Sequence, residues 1–147
     1  MASSLYFLIY VSRVSQAMSH SDLKALHQSV RAFNRSVGIS GCLVHQDGYL
    51  MQMLEGKREV VEALMVKIKA DPRHHDVRTV IEGPTRRRVF TDWGMVLRDL
   101  QSGMDGADCP DFTPWQRREL NFFDLADDAR TCYAYITAYQ AAELRMA

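Results

Sequence analysis

Residues 5–11 of the chain read LYFLIYV, a run with no charged residue that is rich in aromatic and β-branched side chains. A strand with one face in water alternates apolar and polar residues, whereas a strand covered on both faces is apolar throughout. The run therefore predicts a first strand that is covered on both faces or lies centrally in a sheet. The rest of the chain has to supply its neighbours and the layers that cover it.

The segments after this run alternate between helical and extended patterns. Ser19 to Asp22 supplies N-cap residues for an amphipathic helix, and Gln46-Asp47-Gly48 favours the turn of a β-hairpin. Asp71-Pro72 ends a second amphipathic helix, because a residue before proline disfavours α geometry. The predicted elements after the first strand are a helix from 19–22 to 34, strands at 42–45 and 49–54, a helix at about 58–70, strands at 77–81 and 93–97 joined by the polar segment 83–88, a short helix starting at Thr113, and a last helix from about 128 to 144.

This order of elements places the chain in the α+β class. Through residue 97 it reads β-α-β-β-α-β-β, the ferredoxin-like plan plus one strand, which gives a mixed five-stranded sheet with two helices on one face. The other face needs cover, and the two C-terminal helices are the elements available for it. We therefore expect a domain over residues 1–98 and a two-helix extension over residues 99–147 that packs on the sheet within the same globular unit.

Composition and charge narrow the range of functions. The 147 residues include 18 Lys or Arg and 18 Asp or Glu, and this zero net charge argues against nucleic acid or a membrane surface as the partner. No apolar run is long enough to span a bilayer and no signal peptide is evident, so we expect a cytoplasmic protein. Three cysteines without CxxC spacing indicate a reducing compartment and no structural zinc. The adjacent His74 and His75 suit a polar loop better than a metal site.

Three polar residues have unusual positions. Tyr10 lies in the first strand and Gln52 lies in the middle of a predicted strand, and a buried hydroxyl or carboxamide needs a partner. Asn34 ends the first helix. Together they would form a polar spot in an apolar slit, which suits a planar heterocycle with carbonyl and N–H groups on one edge. The alternative is that Tyr10 and Gln52 bond to each other or to the backbone, or that Gln52 faces solvent.

In these residues the sequence resembles the BLUF family, blue-light sensors that use a flavin. The resemblance covers about residues 5–98, and its motifs occur in the family's order. The matching stretches are Leu8-Ile9-Tyr10-Val11-Ser12-Arg13, Asn34 followed by Gly38-Ile39-Ser40-Gly41-Cys42-Leu43, Gln52-Met53-Leu54-Glu55-Gly56, Asp71-Pro72-Arg73-His74-His75, and Arg87-Arg88-Val89-Phe90 leading to Trp93-Gly94-Met95.

The resemblance implies FAD, with FMN or riboflavin as alternatives, bound non-covalently between the two N-terminal helices. Tyr10 matches the family's photoactive tyrosine and Gln52 its switching glutamine. Asn34 matches the residue that hydrogen-bonds the polar edge of the ring. Ser40 stands where the family often has threonine, and the resemblance implies that its hydroxyl serves similarly.

The charged residues at the end of the second helix have two interpretations. From the residues alone, Lys67, Asp71 and Arg73 are either ordinary helix-end charges or contacts for the polar tail of a nucleotide-like ligand. The resemblance implies the second interpretation and adds His74 to the residues near the ribityl and phosphate groups. Lysine replaces the more frequent arginine at 67, which keeps the charge but loses the bidentate fork.

Trp93 and Met95 match the last-strand pair through which the light signal leaves the pocket. The implied function is a photoreceptor rather than an enzyme. Light drives an electron and a proton from Tyr10 to the flavin, and their return leaves Gln52 with changed hydrogen bonds. We expect the signal to pass to a downstream signalling protein that this chain does not encode, and we expect a homo-oligomer.

Two other classes remain open at this level. A small hydrolase similar to an acylphosphatase would need a glycine-rich anion loop after the first strand; Arg13 is present, but residues 12–19 contain no glycine. A metabolite-binding or assembly module is the other alternative. The colour of the purified protein separates the three, because only the flavoprotein should be yellow.

Overall fold

A computed structural model of the protein describes residues 5–90, 95–99 and 122–146. The elements in chain order are β1 (Leu5–Val14), α1 (His20–Ser36), β2 (Ser40–Gln46), β3 (Tyr49–Lys57), α2 (Arg58–Ala70), β4 (His74–Thr85), β5 (Val96–Asp99), α3 (Phe122–Leu125) and α4 (Ala129–Met146). None of the helices in this part of the chain combines the length and the apolar sequence needed to cross a bilayer.

The five strands form one mixed sheet in the order β4-β1-β3-β2-β5. β1 pairs antiparallel with both β3 and β4, and β2 pairs antiparallel with β3. β5 pairs with β2 in parallel. The α+β, ferredoxin-like arrangement with one additional strand is therefore confirmed.

β1 lies inside the sheet and is covered on both faces. Successive side chains of a strand point to opposite faces. Leu8 and Tyr10 pack in the cluster that includes side chains of α1 and α2, whereas Ile9 and Val11 pack in the cluster that includes side chains of α3 and α4. The prediction of a strand covered on both faces is confirmed, and it explains why this strand carries no alternation of polar residues.

The C-terminal helices cover the second face of the sheet, as the sequence predicts. Phe122 and Leu125 of α3 and Tyr135 and Ile136 of α4 are buried against that face. The predicted helix that starts at Thr113 lies outside the described residues, and so does Cys109.

Local signals placed most helix ends and the hairpin correctly. Ser19 caps α1 with a capping box, in which the Asp22 N–H donates to the Ser19 hydroxyl and the Ser19 N–H donates to the Asp22 carboxylate. In the β2–β3 turn, Asp47 has φ 53° and Gly48 has φ 82°, the two positive φ angles that a type I′ turn requires. The predicted bounds of α2 match the observed ones.

β1, β2 and β3 extend one to three residues beyond their predicted bounds at one end or both, and the bounds of β4 and β5 also differ from the prediction. β4 begins at His74 and runs to Thr85, well beyond the predicted 77–81, because it pairs along the whole of the ten-residue β1 from Val14↔His74 to Leu5↔Thr85. The first residues of the predicted polar connection are therefore strand residues. In the described part of the last strand, β5 starts at Val96 and ends at Asp99, beyond the predicted end at Leu97.

Candidate cofactor-binding site

A cavity of about 250 Å³ lies between α1, α2 and the sheet. This volume is close to the lower end of the range for small-molecule sites, which begins at roughly 300 Å³. Most lining side chains are apolar, with a few polar ones at the inner wall and charged ones at one end. The lining residues are Tyr10, Met18, Leu26, Ser29, Val30, Phe33, Asn34, Leu43, Leu50, Gln52, Leu64, Lys67, Ile68, Asp71, Arg73 and His74.

Part of the apolar wall of the cavity comes from the amphipathic helix α1. Leu23, Leu26, Val30 and Phe33 form one apolar stripe on α1, but only Leu23 is fully buried. The other three line the cavity, and Phe33 is still 41% exposed. Helical spacing cannot separate a side chain that packs on the sheet from one that packs on a ligand. The sequence therefore predicted an apolar slit between the helices without identifying which residues of the stripe line it.

Asn34 places an unsatisfied carboxamide at the cavity. It lies near the end of α1, and its backbone carbonyl accepts from the N–H of Ile39 at 2.8 Å. Its side chain is 1% exposed, and neither Oδ1 nor Nδ2 has a hydrogen-bond partner in the protein. An unpaired buried amide costs on the order of 1–3 kcal/mol. The carboxamide therefore fits a ligand that offers both an acceptor and a donor at one edge.

Tyr10 and Gln52 form one hydrogen-bonded unit. They are direct partners in the β1–β3 register, and the Tyr10 hydroxyl donates to Gln52 Oε1. Gln52 Nε2 in turn donates to the sulfur of Met95 at 3.6 Å. All three side chains are buried. Gln52 thus has its oxygen committed to the tyrosine and its amide nitrogen committed to the methionine.

The Tyr10 phenol is held in its protonated form. Burial, and then the negative charge of Asp71, raise the pKa of Tyr10 well above its usual value. The hydroxyl therefore keeps its proton at neutral pH and is a hydrogen-bond donor in the resting protein.

His74 joins three elements beside the tyrosine. Its Nδ1 lies 2.9 Å from the Ser12 hydroxyl, and its Nε2 donates to the Ile68 carbonyl at 2.6 Å. The ring also meets Tyr10 edge-on, with centroids 6.2 Å apart. His74 therefore lines the cavity, and it belongs to β4 rather than to a loop. Because both of its ring nitrogens are bonded within the protein, His74 fixes α2 against β1 at the wall of the cavity.

The charged end of the cavity brings together Lys67, Asp71 and Arg73. Arg73 binds the Asp71 carboxylate through two nitrogens, with Nη2 at 2.6 Å and Nε at 3.0 Å. Arg73 lowers the pKa of Asp71, mainly through these hydrogen bonds. The Lys67 ammonium lies 4.5 Å from the centre of the Phe33 ring. Two cations against one anion leave this end positive, which suits an anionic tail.

Ser40 requires a correction. It is buried at the start of β2, where its hydroxyl donates to Glu55 Oε1 at 3.1 Å and accepts from Arg88 at 2.8 Å. It is not among the residues that line the cavity. The family resemblance implied a cofactor contact for its hydroxyl, whereas the β2–β3 register places Ser40 opposite Glu55.

The two residues predicted to carry the signal have separate outcomes. Trp93 lies outside the described residues. Met95 is described and contacts Gln52 without lining the cavity.

The comparisons with known proteins identify a family and support the fold. Residues 5–96 match the family model BLUF, sensors of blue-light using FAD. A photoactivated adenylate cyclase subunit beta from Euglena gracilis is 37% identical over 92 residues, which are 62% of this chain but only 11% of that relative. A structure of Klebsiella pneumoniae BlrP1 with FMN and cyclic diGMP is 36% identical with a TM-score of 0.61, over 65% of this chain and 26% of that one. The dark-state structure of BlrB, a BLUF protein, has a TM-score of 0.71 at 26% identity and covers 96% of this chain and 98% of that one.

Proposed function

The chain belongs to the BLUF family, sensors of blue light using FAD, and from this premise we propose that its α1–α2 cavity holds the flavin and that Tyr10 and Gln52 respond to light. The observation that carries the proposal is the buried Asn34 carboxamide, which lines the cavity with no partner of its own. The Tyr10–Gln52 pair forms part of the same cavity wall.

The residues present fit a flavin. The apolar side chains of α1 and α2 provide contact area for a flat ring, and the Asn34 carboxamide can pair with a ring edge that carries a carbonyl and an N–H group. Lys67 and Arg73 would hold the phosphate end of the tail, and Asp71 would orient Arg73 through their bidentate bond. Ser40 has no part in this arrangement, because its hydroxyl is used by Glu55 and Arg88.

A bound flavin supplies absorption of blue light and, once excited, an acceptor for an electron. Tyr10 supplies that electron and its phenolic proton. The hydroxyl is protonated and already bonded to Gln52 Oε1, so the proton has a defined donor and direction before illumination. One electron and one proton would pass from Tyr10 to the excited flavin and would both return to Tyr10, so the protein would be neither oxidised nor reduced over the cycle.

Gln52 converts this event into a change of contacts. Its oxygen faces a donor and its nitrogen faces the sulfur of Met95. Rotation of the carboxamide exchanges its oxygen and its nitrogen, so neither bond is kept. The rotated state therefore loses the N–H to sulfur bond with Met95, which stands immediately before β5. A change of tautomer instead makes the oxygen a donor and leaves one N–H on the nitrogen, so it alters the bond with Tyr10. Light would thus change the contact that Gln52 makes with Met95 at the edge of β5. No substrate is converted, and we propose no enzymatic turnover for this chain.

The signal would act on a separate effector protein or domain, or on the association of the chain with itself. The Euglena relative is named as a cyclase subunit and is much longer than this chain. Its activity belongs to that protein. We propose a homo-oligomer whose contacts change with light, with a downstream protein as the recipient.

The test is the flavin content and the light response of the purified protein. We expect a yellow protein that releases about one flavin per chain on denaturation and shows a reversible red shift of its absorption under blue light. Chromatography of the released cofactor distinguishes FAD, FMN and riboflavin. A colourless protein from cells with ample flavin, which also binds none of the three when they are added, would refute the proposal.

A further inference from the structure

His27 on α1 contacts Met95, the residue immediately before β5. Its Nε2 lies 2.6 Å from the backbone carbonyl oxygen of Met95, and its ring is half-buried. A carbonyl oxygen only accepts, so Nε2 carries the hydrogen and His27 is the donor. The bond connects residues 68 positions apart in the sequence. The bond therefore joins α1, which lines the cavity, to Met95, which contacts Gln52 and immediately precedes β5.

The Met95 backbone is held on two sides. The parallel register of β2 and β5 begins at Cys42↔Val96, so the sheet holds the residue immediately after Met95. His27 holds the Met95 carbonyl. The Met95 side chain is flexible, because a thioether chain has three rotatable bonds. A fixed backbone narrows the positions that the sulfur can take and so favours its contact with the Gln52 amide.

We propose that His27 is a positioning residue of the light switch, which keeps Met95 where its sulfur accepts the Gln52 N–H. This inference rests on the proposed function of Tyr10 and Gln52. His27 does not line the cavity itself. Asn34 lies seven residues further along α1, about two turns away on the same side of the helix. α1 therefore carries both the carboxamide that faces the ligand and the imidazole that holds Met95.

Loss of the His27 donor should affect the return to the dark state. After illumination, the Gln52 N–H has to meet the Met95 sulfur again. Without the hydrogen bond from His27, the Met95 backbone samples more positions. The Gln52 N–H then meets the Met95 sulfur less often, so their bond re-forms more slowly. We expect His27→Phe to keep the ring volume and slow dark recovery by about fivefold, the factor expected from one ordinary hydrogen bond.

The experiment compares three variants of the full chain with the wild type. His27→Phe removes the donor, and His27→Gln keeps an N–H donor on a side chain that can reach the same carbonyl. Gln28→Phe introduces the same ring at an exposed neighbouring position of α1 and is the control. We expect recovery at the wild-type rate in Gln28→Phe and within about twofold of it in His27→Gln. His27→Leu is a second donor-free variant if the phenylalanine is not tolerated.

A measurement in the dark tests the same point without photochemistry. The ε-methyl of Met95 can be followed by NMR in protein labelled at methionine methyl groups, with and without flavin, and assigned through Met95→Leu. We expect its signal to move in His27→Phe, to remain near the wild-type position in His27→Gln, and to be unchanged in Gln28→Phe.

The outcomes separate the two proposals. If the wild type shows no red shift but the methyl signal responds as expected, the proposed light function fails and the positioning role of His27 stands. If the wild type responds to light while His27→Phe matches it in recovery and in the methyl signal, the positioning role of His27 is refuted. A His27→Gln variant that behaves like His27→Phe would also refute it, because the donor would not be the cause.

Discussion

Tyr10 and Gln52 satisfy each other's polar groups, so each depends on the other for both stability and light response. Tyr10→Phe leaves the Gln52 oxygen buried without its donor, and Gln52→Leu leaves the Tyr10 hydroxyl buried without its acceptor. Each change should cost about 1–3 kcal/mol of unfolding free energy and abolish the red-shifted state while flavin stays bound. Absorption difference spectra and urea unfolding measure both effects.

The double variant provides the control for this prediction. With both polar groups removed, no unpaired partner remains, so its loss of stability should be smaller than the sum of the two single losses. Its light response should be no worse than that of either single variant. A wild-type yield of the red-shifted state in either single variant would show that the assigned roles are wrong.

Asn34 should have opposite effects on the empty and the loaded protein. Its carboxamide is unpaired inside the protein, so Asn34→Leu should raise the unfolding free energy of flavin-free protein by about 1 kcal/mol. The same change removes the ligand's partner and should weaken flavin binding by about tenfold or more. Gln28→Leu, on the exposed side of α1, should weaken binding little. Unchanged flavin affinity in Asn34→Leu would place the polar edge of the ring elsewhere.

At the scale of elements, a buried carboxylate ties the segment after β4 to the sheet. Glu55 on β3 accepts from the N–H of Val89 at 2.6 Å and of Phe90 at 3.0 Å, as well as from Ser40. Arg88 donates to the carbonyls of Gly38 and Glu55. These bonds connect β2, β3 and residues 88–90, and their positions depend on strand register rather than on any local motif.

This network predicts a pH dependence of stability. Burial raises the pKa of Glu55, against the lowering effect of its hydrogen bonds. The native chain therefore holds this proton more tightly than the unfolded chain. The contribution of Glu55 to the unfolding free energy is largest below the usual range for a glutamate and falls as the pH rises through its native pKa.

Urea unfolding of the wild type and of Glu55→Gln tests this sign. The unfolding free energy of the wild type relative to Glu55→Gln should decrease as the pH rises above the usual range for a glutamate. Glu59→Gln, exposed on α2, is the control and should show a far smaller change. If the unfolding free energy of the wild type relative to Glu55→Gln increased with pH instead, the native state would favour the charged form of Glu55.

At the scale of the whole molecule, β5 connects the switch to the second face of the sheet. Met95 stands at its start, and the Arg98 guanidinium lies 5.9 Å from the centre of the Tyr139 ring of α4. Tyr139 is fully buried and bonds to the Tyr135 hydroxyl at 2.9 Å. We therefore expect a light-induced change at Met95 to reach α4 through β5.

Removal of residues 101–147 tests this route. The truncated chain should expose apolar side chains of the second face, such as Ile9 and Met53, and should associate or precipitate. In the intact chain, Arg98→Met should keep the fold and reduce light-dependent hydrogen exchange in α4 by at least half. Unchanged oligomer size after truncation, or unchanged exchange in Arg98→Met, would remove α4 from the output route.

The sequence by itself determined the features that depend on local pattern. The apolar run at 5–11, the capping residues at 19–22 and the Asp-Pro stop at 71–72 are read within a few residues, so β1, α1 and α2 were predicted closely. Tyr10 and Gln52 stood out for the same reason, as polar residues in apolar strands, and Asn34 stood out at the end of the predicted first helix. The position of each in the chain was enough to select it.

Only the tertiary structure decided which side chains pair. The Ser40 hydroxyl hydrogen-bonds to Glu55 and Arg88 and does not face the cavity, and the Met95 carbonyl accepts a hydrogen bond from His27. Hydrogen bonds reach about 3 Å, and these partners lie 15 to 68 residues apart, so strand register and helix position determine whether they meet. The position of α1 also decides which residues of its apolar stripe are buried in the core. Leu23 is fully buried, whereas Leu26, Val30 and Phe33 line the cavity.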